Sequence, residues 1–206
     1  MTDYFALLNE PRRPWLDTAA LKAKFVALTA EIHPDRVYSA TEAEKLAATR
    51  RYAELNTAYH CLQEPRERLL HLLELERGSS PEEVQRIDPA ITTLFMEIIQ
   101  LCREADAFLE ERARTSSPIL KVKLFERGTR LSEGLNALLQ KLQVKRDALV
   151  VQLKDLNLAW ESAPSVGSPT RIHVLPCSRL EHIYRDFSYL TRGSQQIQER
   201  VVQLSF

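Results

Sequence analysis

The 206-residue chain balances 28 lysines and arginines against 28 aspartates and glutamates, and 44% of it is hydrophobic. A neutral chain with no basic tail argues against nucleic acid or an anionic membrane as the main partner, and its apolar content suffices for one large core or two small ones. Few glycines, three scattered cysteines (Cys61, Cys102, Cys177) and no leader or membrane-spanning run lead us to expect an all-α cytoplasmic protein with reduced thiols and neither metal nor cofactor.

The first apolar stretch, Tyr4 to Leu8, is stopped by Pro11 and Pro14, so it reads as a brief helix packing through Tyr4, Phe5 and Leu8. Asp17 is a good N-cap for a second helix opening at Thr18. Along it Leu21, Phe25, Leu28 and Ile32 step by four, three and four, which is one helix face. Pro34 ends that helix. Thr41 with Glu44 forms a capping box, so a loop over 33–40 precedes a third helix. Its stripe is Ala48, Tyr52, Leu55, Tyr59 and Leu62. Pro65 closes the third helix and opens a fourth, which carries Leu69, Leu70, Leu72 and Leu73 and ends at Gly78. Two facing stripes joined by a short loop predict an antiparallel hairpin. His33, Pro34 and Asp35 would stand at its tip, where polar residues do little for stability and binding is the leading role. A catalytic or metal role is disfavoured, because no nucleophile or third ligand lies near them in sequence.

Residues 78–89 hold two prolines and no apolar periodicity, which places a linker there between domains at 1–77 and 90–206. Beyond it, Leu94, Ile98, Leu101, Ala105 and Phe108 make the inner face of a long helix. Ser117-Pro118 opens the next, whose stripe runs from Leu131 through Leu135, Leu138, Leu142, Leu149 and Leu153 to Leu156. Gly128 and Gly134 are expected to kink or divide its start. After a Pro/Gly/Ser-rich break at 162–176, in which only 171–175 could be extended, a last helix carries Leu180, Ile183, Phe187, Leu190, Ile197, Val201 and Leu204. Three such helices predict an antiparallel bundle. Phe95, Met96 and Ile99 widen the first helix's apolar face beyond what that seam needs, and an exposed apolar patch with a flexible Met suits a partner site. His60 and His71 read as packing or surface residues, and Trp15 and Trp160 as caps on apolar seams.

The segments DYFALL, IHPDR and YAELNTAYHCLQEPRER, spread over residues 3–77, resemble a J-domain, the module that stimulates the ATPase of DnaK-type chaperones. The resemblance implies that His33, Pro34 and Asp35 dock on the chaperone, with Lys22, Lys24 and Arg36 as flanking positive charge. Val26, Ala27 and Glu31 stand where general J-domains are more basic, which points to a dedicated partner. A J-domain followed directly by a helical bundle, with ITTLFMEIIQL after the linker, resembles the HscB family of iron–sulfur cluster biogenesis. That resemblance implies a DnaK/HscA-type chaperone and an IscU-type scaffold as partners. It also implies that the scaffold is held by Phe95, Met96 and Ile99 together with Phe187 or Tyr184, and that the chain itself catalyses nothing. Two other expectations compete with this one. The chain could be a J-domain co-chaperone for another client, or a helical adaptor that no longer engages a chaperone.

Overall fold

The computed structural model describes residues 1–32, 41–81, 89–115 and 118–205, and among them every regular element is a helix. The all-α expectation holds.

Local capping chemistry sets the N-terminal elements. Asp3 accepts from the N–H groups of Phe5 and Ala6 at 3.0 and 3.2 Å, opening α1 (Tyr4–Leu7). Asp17 does the same for Ala19 and Ala20, both at 2.9 Å, at the head of α2 (Thr18–Glu31). Before α3 (Glu42–Gln63) the capping box is complete. The Glu44 N–H donates to Thr41 Oγ1 at 3.3 Å and the Thr41 N–H donates to Glu44 Oε2 at 2.8 Å. The hydroxyl of Thr41 also donates to the Glu44 carboxylate, which lowers that carboxyl below its ordinary range. Pro65 begins α4 (Pro65–Arg77), and Gly78 closes it at φ 74°, a left-handed conformation that costs glycine nothing. Phe25 of α2 stacks on Tyr59 of α3 with ring centroids 4.4 Å apart. Leu21, Leu55, Ala58 and Leu62 are buried, as are Phe5 and Leu8 from the first segment. Arg68 is buried and forms no ion pair among the described residues; it donates to the carbonyls of Pro14 and Leu62 at 2.9 and 2.6 Å. Desolvation pulls its pKa down to about 10.

The remaining helices are α5 (Pro89–Arg114), α6 (Pro118–Glu161), α7 (Arg171–Val174) and α8 (Cys177–Leu204). Two expectations are corrected. The glycines neither kink nor divide α6, which runs unbroken for 44 residues. They are points of close approach: a Cβ on Gly128 would lie 3.0 Å from the Phe108 ring, and one on Gly134 would lie 3.1 Å from Leu101. Residues 171–174, read as possibly extended, form a helical turn.

The chain forms two compact units, 1–83 with 151–184 and 84–150 with 185–206. It therefore changes unit inside α6 and again inside α8, as well as near the expected 78–89 linker, of which 82–88 lie outside the described residues. The single division into 1–77 and 90–206 is thus not how the contacts group. The reason lies in long-range polar ties. In the first unit the Trp15 N–H donates to Asn157 Oδ1, and Asn157 Nδ2 donates back to the Trp15 carbonyl, each at 2.9 Å. Arg171 donates through two nitrogens to Glu76, each at 2.9 Å, and to the Pro164 carbonyl at 2.7 Å. These bonds fasten the end of α6 and the 162–176 break to the N-terminal helices. In the second unit Phe108, Leu124 and Leu131 form a core with Leu101, Leu109 and Leu204 packed on it. There the Arg200 guanidinium grips Asp106 at 3.1 and 3.0 Å.

No described helix is long and apolar enough to cross a membrane.

Candidate functional site

Two surfaces were expected to carry function. The first is the α2–α3 hairpin. His33, Pro34, Asp35 and Arg36 belong to the segment joining these helices and lie outside the described residues. Lys22 is exposed on α2. Lys24 is not a free flanking charge: its ammonium lies 2.8 Å from Glu10 Oε1 and donates to the Asn9 carbonyl at 2.9 Å. Glu10 is almost wholly buried, so it needs that cation. Around Lys22 the exposed side of α2 is Ala23, Val26, Ala27 and Ala30, with Glu31 at its end. This face is largely uncharged.

The second surface lies on α5. Leu94, Ile98 and Cys102 are buried, while Met96 is 62% exposed and Phe95 and Ile99 are half-buried. The separation of an inner stripe from an outer one is therefore present. Met96 and Ile99 line a shallow hollow of about 510 Å³ together with Thr93, Glu97, Gln100, Arg103 and Glu104. Of the two aromatics expected beside this patch, Phe187 is fully buried, with the Arg146 guanidinium 5.6 Å from its ring centroid. It is a core residue and presents no face to a partner. Tyr184 is half-buried in the first unit, with Arg66 5.8 Å from its ring centroid. The α8 aromatic that meets Phe95 is Tyr189, edge to face at 6.2 Å and 78°. Sequence reasoning missed Tyr189 because it falls outside the apolar stripe of α8; its signal was an aromatic two residues beyond a stripe position.

All three cysteines are free, and burial raises each thiol, Cys61 to about 11. A thiol so raised is not the thiolate that nucleophilic chemistry needs. His71 is buried, stacks on Tyr4 at 4.4 Å and accepts the Tyr4 N–H on Nε2 at 3.2 Å. Burial lowers its pKa, in keeping with a neutral acceptor. No group of three metal-ligating side chains occurs among the described residues. A larger hollow of about 660 Å³ lies in the second unit against Phe108, Leu124, Phe125 and Leu204. The hydroxyls of Thr115 and Thr129 and the guanidinium of Arg112 at its wall already bond backbone carbonyls.

No family model matches the chain. Among solved structures it is similar to the chaperone HscB from Vibrio cholerae, with 21% identity, a TM-score of 0.59 and coverage of 96% of each chain. It is also similar to the human co-chaperone protein HscB, with 20% identity, a TM-score of 0.63 and coverage of 97% of this chain and 82% of the other. At such identity the likeness is one of fold, and it extends over nearly the whole chain.

Proposed function

We propose that the protein is an HscB-type co-chaperone: it stimulates the ATPase of a DnaK/HscA-type chaperone and delivers an IscU-type iron–sulfur scaffold to it in the cytoplasm. One observation carries this reading. The tripeptide His33-Pro34-Asp35 lies between α2 and α3 of a chain that shares the fold of two HscB structures along almost its full length. Asp35 accepts a charge-assisted hydrogen bond from the chaperone, with His33 and Arg36 close to it in sequence. Such docking speeds hydrolysis only by binding the hydrolysing state better than the resting one, and a tenfold rise needs about 1.4 kcal/mol of that preference. The weakly charged exposed side of α2 suits a dedicated chaperone, since little general electrostatic steering is left to it. Meanwhile the α5 patch holds the scaffold, and tethering brings client and chaperone together at high effective concentration. Catalysis stays with the chaperone.

The client half is tested by calorimetric titration of the full chain with an IscU-type scaffold. Met96→Ser combined with Ile99→Ser should weaken binding by about 30-fold, the size of a hot-spot truncation. Helical content should be unchanged, because Met96 is exposed and Ile99 only half-buried. Undiminished affinity in the variant would contradict the assignment of this patch.

A further inference from the structure

The α5 patch carries a charge that restricts what can cover it. At 3.6 residues per turn, Met96, Gln100 and Arg103 project within about 60° of one another. Ile99 and Phe95 flank them on one side, Glu97 and Glu104 on the other. The two carboxylates are already engaged: Glu97 accepts from Lys141 at 2.8 Å and Glu104 accepts from the Gln100 amide at 3.2 Å. Arg103 is exposed in the same hollow as Met96 and Ile99, and it has neither an ion pair nor a side-chain hydrogen bond among the described residues. A surface seated in the hollow that Met96, Ile99 and Arg103 line together meets this guanidinium as well, and a covered guanidinium without acceptors is strongly unfavourable.

We propose, resting on the client reading above, that the α5 patch recognises a protein surface pairing an apolar side chain with a carboxylate, the carboxylate docking on Arg103. The planar fork of arginine fits the two carboxylate oxygens, which a lysine at this position would not reproduce. A partner with basic residues at that point would meet a like charge and bind less well.

The test is titration of the full chain, as wild type, Arg103→Glu, Arg103→Lys and Met96→Ser, with the IscU-type scaffold at low and at high salt. Arg103→Glu should weaken binding at least about tenfold at low salt, with a smaller effect at high salt. Arg103→Lys should recover only part of that loss, and one Glu→Lys or Asp→Lys change on the scaffold should restore binding to Arg103→Glu. If the scaffold binds through Met96 but Arg103→Glu binds as well as wild type, the carboxylate proposal is wrong and the client reading survives. If wild type binds and Met96→Ser is without effect, the patch is not the site and both fall. If wild type does not bind the scaffold at all, the client reading fails and takes this proposal with it.

Discussion

Replacing Glu76 by Leu should destabilise the protein by about 3–5 kcal/mol, the usual consequence of leaving a buried charge without its partner. The side chains of Glu76 and Arg171 are 4% and 8% exposed. Two hydrogen bonds of 2.9 Å join them across 95 positions of sequence. Arg12 also stands 4.0 Å from Glu76 and is itself paired with Asp3 at 2.9 Å, so the variant strands one buried cation and weakens the setting of a second. The double replacement Glu76→Leu with Arg171→Leu should recover much of the loss, because apolar groups of similar size often substitute for a buried pair at little cost. Urea denaturation of the two single variants and the double variant isolates the coupling. A loss below about 1 kcal/mol for Glu76→Leu would mean the pair behaves as a surface contact and does not hold the 162–176 break in place.

Phe187→Ala should cost a further large sum, about 3–5 kcal/mol, by opening a cavity among close-packed side chains. The ring is fully buried with Ile183 and Leu190 also buried on the same helix, and the Arg146 guanidinium over it loses its aromatic partner as well. Phe187→Leu should be milder, since most of the volume remains. The measurement is again the denaturation midpoint, taken alongside scaffold affinity under conditions where the variant is folded. A variant of unchanged stability and reduced scaffold affinity would return Phe187 to the surface role that the family resemblance implied.

That residue illustrates what was legible. Its place in the sequence Leu180, Ile183, Phe187, Leu190 marks an inward stripe, and periodicity alone assigned it correctly to the core. The resemblance drew it outward. Capping at Asp17, at Thr41 with Glu44, at Pro65 and at Gly78 was legible because each depends on residues within one helical turn. The glycines of α6 were misread because their meaning depends on Phe108 and Leu101, which lie on another helix. Grouping of the chain into 1–83 with 151–184 was hidden for the same reason: Asn157 and Arg171 carry no local sign that they bind Trp15 and Glu76. At the candidate sites, the outward position of Met96 could be read from spacing, whereas the binding of Lys24 to Glu10 could not. A lysine about two turns along an amphipathic helix reads as solvated charge until the buried carboxylate beside it is known.

The co-chaperone account is tested most directly by the steady-state ATPase rate of a DnaK/HscA-type chaperone with the full chain and with its His33→Gln variant, in the presence and absence of the scaffold. The account predicts severalfold stimulation by the wild-type chain, greater with the scaffold present, and a return to the basal rate for His33→Gln with helical content and scaffold affinity unchanged. Equal stimulation by both proteins would contradict the role of His33, and no stimulation by the wild-type chain would leave a helical adaptor in place of a co-chaperone.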